Sequence, residues 1–471
     1  MQSKQDRCRD LLTVVNGAIR QPYGQDSYRE LLQHLSVEID ELVAIQLKSP
    51  VTLTLERDVA CYRQLYPQYF PCLISTLPNE LLSEVFIRCI LPYSDLRAAS
   101  RRATDLRLVC WRWRRVVDRT PILWTRMCSA PSRGQDHLLQ YVRRSGALGL
   151  AILHLQKEPS SSVLSEVFSV LAPHSERWME LFFRVSWHSM VEKLPTLRLP
   201  RLQRVTLIIC GAIREDGLRW LTGASALHHL TLACRRSLPS PSAEVVLPHL
   251  PSLRVLEIDG LLGVSTRCML EPLRSCPSLQ CLRLHAFQHL GAGSLEGLSM
   301  VELPTLRHMH LDCDAVSVLT LITAPALDEL VIACVHDGRS LYRILSIFLR
   351  SQDRAFSLQT LGLTNIYSGF PAATAEFVRC LSLLESLQSL RVSAYSQSHL
   401  GGTDLFRLLT YRHSKRTLLP KLTSLRYKSL LTCMSVTDRH AWEAMKFSRA
   451  SEINTGTTYV AALDAIEVNI T

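Results

Sequence analysis

His308-x-His310-x-Asp312 is the one cluster in the chain with metal-type donors at regular spacing, and His285 lies one repeat upstream. In an extended segment, alternate residues share a side, so two imidazoles and a carboxylate would face one way. Such a set has the chemistry to hold a divalent ion. The spacing argues against it, because residues two apart on a strand lie nearly 7 Å apart (about 3.4 Å per residue). Zinc ligands sit about 2 Å from the ion and would have to lean inward. The expectation is polar strand surface, with no metal and no cofactor. Other chemistry is thinner still. The sequence holds no G-x-x-x-x-G-K-[ST], G-x-S-x-G, H-E-x-x-H or G-x-G-x-x-G. Its CGAIREDG loop is too generic to build on. Cys110, flanked by arginines, has neighbours that lower a thiol pKa, but it falls on an apolar stripe and reads as core. The chain is not expected to be an enzyme.

The elements that position the cluster are repeats. The template L-x-x-L-x-L recurs as Leu202-Val205-Leu207, Leu227-Leu230-Leu232, Leu253-Leu256-Ile258, Leu279-Leu282-Leu284 and Leu306-Met309-Leu311. It continues through Leu327-Leu330-Ile332, Leu358-Leu361-Leu363, Leu387-Leu390-Val392 and Leu422-Leu425-Tyr427. First positions step by 25, 26, 26, 27, 21, 31, 29 and 35 residues, and weaker copies begin at Leu150 and Trp178. This template and period resemble the leucine-rich repeat. The last two apolar positions point to one side of a strand, and one unit alone cannot cover them, so units must stack. The expectation is a curved α/β solenoid over 147–430, its parallel sheet backed by helices such as the one holding Leu341, Ile344, Leu345 and Phe348. The alternate positions then form an exposed concave row. Its centre, Glu257, Asp259, Arg283, His285, His308, His310 and Asp312, is the expected binding surface for a protein target, and its far end is basic.

Upstream, Leu81, Leu82, Val85, Phe86, Cys89 and Ile90 make a wide apolar helix face that starts after Pro78 and ends at Pro92. Leu106, Val109, Cys110, Trp113, Val116 and Val117 make a second, closed by Thr120-Pro121 and Leu123-Trp124. Two or three short helices in about 50 residues cannot enclose that many large side chains. Apolar surface should be left over, and such surface marks a partner site.

LPNELLSEVF, DLRLVCWRWRRVV and TPILW, in that order, resemble the F-box in the version abundant in mushroom-forming fungi, over about Ile74–Met127. The arginine-rich YSDLRAASRRATD between the helices departs from that pattern. The resemblance implies docking on the Skp adaptor of a cullin-RING ubiquitin ligase. Carried over, the adaptor-facing positions are Leu77, Pro78, Leu81, Leu82, Val109 and Trp113, while Val85, Phe86 and Val116 read as core. In that family a helix often precedes the box. Here Tyr28, Leu32, Leu35, Ile39 and Leu42 form one helical stripe. The expected layout is an N-terminal segment (1–27), an amphipathic helix (28–47), a linker (48–73), the box (74–127), the repeats (147–430) and a tail or cap (431–471).

Composition bounds the rest. The 471 residues are 47% hydrophobic and 20% charged, which gives enough apolar material for a large core. No 18-residue stretch is free of charge and polarity, so no membrane span is expected. MQSKQDRCRD lacks the apolar region of a secretion signal, and fifteen scattered cysteines without a C-x-x-C read as reduced thiols. The expected location is cytoplasm, nucleus or both. The net charge of +11 is concentrated in nine arginines at 97, 101, 102, 107, 112, 114, 115, 119 and 126. An acidic protein partner or plain solvation ranks ahead of nucleic acid for that segment. The leading expectation is the substrate-recognition subunit of a Skp–cullin–F-box ligase. The alternatives are a repeat scaffold that binds proteins without ubiquitin delivery and, behind it, a nucleic-acid-associated solenoid.

Overall fold

Helices lead and parallel strands follow. A computed structural model of the chain describes residues 74, 77–90, 96–129, 134–155, 161–186, 197–210, 218–234, 247–259, 270, 272–285, 299–335, 338–352, 356, 358–366, 372–394, 402–410, 418–429, 436–454, 459–463 and 465–470. The helix expected over 28–47 lies outside these residues. The chain divides into two compact units, Met1–Cys89 and Ile90–Thr471.

The first unit closes with α1, which runs Asn79–Ile90 and so ends on the first residue of the second unit, with Glu80 in its first turn and Arg88 in its last, each favourable to the helix dipole. The Leu82 amide donates to the Pro78 carbonyl at 3.0 Å. Leu82, Phe86 and Ile90 are buried at four-residue spacing, while Glu84 and Arg88 pair at 2.9 Å on the exposed side.

The second unit opens with α2 (Leu96–Val109) and α3 (Trp111–Asp118). The sequence reads as one stripe over 106–117, but the chain breaks it at Cys110. That residue is extended (φ −159°, ψ 170°) and caps α3, its Sγ accepting from the Trp113 amide. Cys110 is therefore exposed and not core. The YSDLRAASRRATD segment supplies most of α2, whose buried side is Ala99, Ser100 and Ala103.

A 3₁₀ turn over Pro121–Trp124 leads into the sheet. Trp124 is buried, and its Nε1–H donates to the Val117 carbonyl at 2.8 Å. Its ring meets Tyr141 of α4 (Gly134–Arg144) edge-on at 4.9 Å. The Arg107 and Arg144 guanidinium groups lie 5.6 and 4.4 Å from its centroid, and both reach Asp118 Oδ1, at 2.8 and 3.1 Å. Arg107, expected on a solvated face, is half-buried in this knot.

The strands are β1 (Arg126–Ser129), β2 (Leu150–Leu155), β3 (Trp178–Ser186), β4 (Arg204–Cys210), β5 (His229–Cys234), β6 (Val255–Asp259) and β7 (Cys281–His285). They continue with β8 (Val301–Glu302), β9 (His308–Asp312), β10 (Ile322–Thr323), β11 (Glu329–Ala333), β12 (Thr360–Thr364), β13 (Ser389–Ala394) and β14 (Ser424–Ser429). The last are β15 (Ile453–Asn454), β16 (Tyr459–Val460) and β17 (Ala465–Ile470). Thirteen form one sheet in the order β1-β2-β3-β4-β5-β6-β7-β9-β11-β12-β13-β14-β17. Its pairings are all parallel. The register stacks Leu230, Leu256, Leu282, Met309 and Leu330 in a single row, and each is at most 1% exposed. One residue before the strands, amides at Arg254, Gln280, Arg307, Asp328 and Gln359 each donate to the preceding repeat at 2.8–3.0 Å.

Helices α5 (Ser161–Leu171), α6 (Gly338–Ser351), α7 (Ala372–Ser382) and α8 (Gly402–Leu409) lie between strands in sequence. Leu341, Leu345 and Phe348 of α6 are buried as their spacing predicts. The sheet extends past both ends of the repeat segment. It starts at β1, inside the helical segment, and ends at β17 in the tail, where α9 (Val436–Ser448) also lies. Arg449, fully buried after α9, donates to the carbonyls of Leu409, Leu418 and Leu419 at 2.8, 2.5 and 3.0 Å. Burial lowers its pKa to about 10.

Leu282 stands mid-row with no exposure. Leu282→Ala should cost about 2–5 kcal/mol of unfolding free energy, measured by urea titration, against a near-neutral change for Thr360→Ala on the other side of the sheet.

Candidate functional site

Two kinds of surface stand apart from the core. The first is apolar and helical. On α1, Leu81 is 54% exposed and Val85 36% exposed, beside the buried Leu82 and Phe86. Pro78 and Cys89 are exposed on either side, and Leu77 is half-buried. The helix thus has two apolar stripes, 82/86/90 turned inward and 81/85 open. Leu82, expected to face the adaptor, is a core residue. Val85, expected in the core, is on the open stripe.

In the second unit, Leu108, Val109 and Trp111 are 70%, 58% and 71% exposed. They flank the Cys110 break, where the end of α2 and the start of α3 leave them uncovered. Arg115 lies 5.4 Å over the Trp111 ring. Trp113, the expected docking tryptophan, is half-buried, and Val116 is buried as expected. Leu108 and Trp111 were missed because a continuous helix puts them on the arginine side; only the break turns them into an apolar patch.

The second surface is the open face of the sheet, where side chains alternate with the buried rows. The register sets Glu257 beside Arg283 and Arg283 beside His310. It also sets Asp259 beside His285 and His308 beside Glu329. Charges alternate and interlock. Arg204 faces Glu180 at 3.8 Å, above a cleft of about 350 Å³ lined by Leu96, Leu153, Leu155, Leu181 and Phe182. Glu257 pairs with Arg283 and accepts from the Thr231 hydroxyl at 3.2 Å. His308 Nδ1 lies 3.4 Å from Glu329, whose other oxygen meets Arg391 at 3.3 Å.

At the centre, His285 Nδ1 lies 2.8 Å from Asp312 Oδ2, and His310 Nε2 lies 3.1 Å from Oδ1. The two rings meet edge-to-face with centroids 4.7 Å apart. Donor atoms of all three residues lie within 4.8 Å of one another. The 7 Å strand spacing is therefore no obstacle, because the third donor comes from the neighbouring strand and the side chains lean together. The hydrogen bond to Asp312 raises the His285 pKa, against burial. Burial alone would raise the Asp312 carboxyl, but the two imidazoles outweigh it and hold that group well below the usual range. At His229, burial lowers the pKa and is only partly countered by Glu257.

Residues 74–130 match the F-box-like family model. The match holds α1, α2, α3, the 3₁₀ turn and β1, so the F-box-like segment itself contributes the first strand of the sheet. No curated protein matches the chain. Among solved structures, the chain is similar to a plant peptide hormone receptor, RGFR1 in complex with RGF2. The identity is 15% and the TM-score 0.23, over 62% of this chain and 46% of that one. The chain thus spans less than half the length of that receptor chain. Among the described residues, no helix is long and apolar enough to cross a membrane.

Half-exposed ion pairs contribute about 0–1 kcal/mol, so the open-face network is dispensable to the fold. Glu257→Gln, which removes the charge shared by Arg283 and Thr231, should change unfolding free energy by less than about 1 kcal/mol in denaturant titration. A loss as large as that of a core leucine would make the network structural.

Proposed function

We propose that this chain is a target-recognition subunit of a Skp–cullin–F-box ubiquitin ligase, acting in the cytoplasm or nucleus. The F-box-like match at 74–130 carries this reading. The F-box-like segment docks on the Skp adaptor through apolar side chains open to solvent in each unit. These are Pro78, Leu81 and Val85 on α1, and Leu108, Val109 and Trp111 around the Cys110 break. The open face of the sheet, from Glu257 to Asp312, holds a protein target by charge and hydrogen-bond complementarity.

In this reading the chain's contribution is position. Binding adaptor and target on one molecule raises the effective concentration of target at the ligase. The Trp124 knot and the β1–β2 pairing support such a role, because they tie α2 and α3 into the same packing as the first strands of the sheet. A stiff connection keeps the effective concentration high, where a floppy one would dilute it.

Leu81→Asp and Trp111→Asp place charge at exposed sites, so thermal unfolding should hardly move. Capture of purified Skp adaptor should fall about tenfold or more, as for interface hot spots. Unchanged capture in both variants would overturn the docking assignment. If the wild-type chain brings down adaptor without cullin, the scaffold reading replaces the ligase reading. Exchanging Arg283, His308 and Asp312 together for alanine should weaken capture of the protein target, and intact capture would move the target site elsewhere.

A further inference from the structure

We propose that His285, His310 and Asp312 form a binding site for a divalent transition-metal ion of the zinc class, on the open face of the sheet, with one coordination position left open. The arrangement is two imidazole nitrogens and one carboxylate converging from two neighbouring strands. Donors bound at about 2.0–2.1 Å to one tetrahedral zinc ion sit roughly 3.3 Å from each other. His285 Nδ1 stands 2.8 Å from one Asp312 oxygen and His310 Nε2 3.1 Å from the other, and one ligand atom from each of the three residues lies within 4.8 Å of the other two.

The backbone is well placed to hold such geometry. His310 and Asp312 flank Leu311, and His285 follows Leu284; both leucines are fully buried. Sites built on packed strands keep their side chains in place better than sites on loops. One carboxylate serves two imidazoles, and its Oδ1 is shut off from solvent without an aligned hydrogen-bond donor. An ion between the three would satisfy that oxygen and both rings at once. Arg283, beside His310 in the ladder, is engaged by Glu257, while Asp259 adds negative charge beside His285 in the ladder.

Two histidines and a carboxylate are a donor set for zinc with an open position, and for iron(II) in the facial arrangement. Side-chain exposures of 30%, 34% and 19% for His285, His310 and Asp312 leave a path for the ion and for a further ligand.

The test uses the full chain stripped with chelator, then given zinc or cobalt(II) alone. Gel filtration followed by elemental analysis should find one zinc per chain. Cobalt(II) should give visible d–d absorption without the near-ultraviolet band of thiolate ligation, a needed control in a chain with 15 cysteines and 16 histidines. Asp312→Asn and His310→Gln should each lower zinc affinity by more than the roughly 10–100-fold that loss of an outer-shell partner costs. The metal-free thermal unfolding of His310→Gln should match wild type, which keeps the test valid if Asp312→Asn folds poorly. No retained zinc, a thiolate band, or affinity unchanged in the variants would overturn the site. No adaptor or target enters the experiment, so its result is independent of the ligase reading.

Discussion

A parallel strand with one apolar face cannot be stable alone, and the long sheet of the second unit answers that constraint. Each L-x-x-L-x-L copy buries its leucines only because the next copy sits in register beside it, hydrogen-bonded along the ladder and again one residue before the strand. The end strands have no further repeat to lean on. The chain solves this at one side with β1, drawn from the F-box-like segment, and at the other with β17, drawn from the tail. The terminal segments thus cap the row that the repeats begin.

The same constraint separates the surfaces available for function. Because alternate residues along each strand are committed to the core, their neighbours are free to carry charge at little energetic cost, and they form a lattice of half-exposed ion pairs from Glu180 to Arg391. The helical segment follows a different rule. Its helices are too short and too few to cover themselves, so apolar side chains at Leu81, Leu108, Val109 and Trp111 stay open. Trp124 then joins α3 to α4 through its ring, its N–H and two arginines that share Asp118. A polar sheet face and apolar side chains left uncovered in each unit are the two kinds of surface the described residues offer.

Much of this was legible from residue spacing. The repeat template located β4 to β7, β9 and β11 to β14 and named the open row, because a two-residue period is imposed by the backbone itself. The Leu341–Phe348 helix was legible from the other backbone period, about 3.6 residues per turn, which places 341, 345 and 348 on one face. The Cys110 break was not, since a cysteine N-cap leaves no composition signal, and it exchanges which tryptophan is exposed. Nor was the inward turn of Leu82 against the outward turn of Leu81, because two adjacent leucines on an amphipathic helix look alike until packing chooses between them. Strands β1 and β17 escaped because neither carries the template; they are recruited by an unpaired sheet edge. The spacing named His285, His310 and Asp312 together but argued against a shared ion, because it does not show how far side chains on neighbouring strands lean towards one another.

Hydrogen–deuterium exchange of the intact chain, with and without purified Skp adaptor, addresses the central claim most directly. The account predicts slowed exchange over residues 77–90 and 105–117 on adaptor addition, with the strands from 281 to 312 unchanged. Exchange unaltered in both helical segments, or protection confined to the sheet, would contradict it.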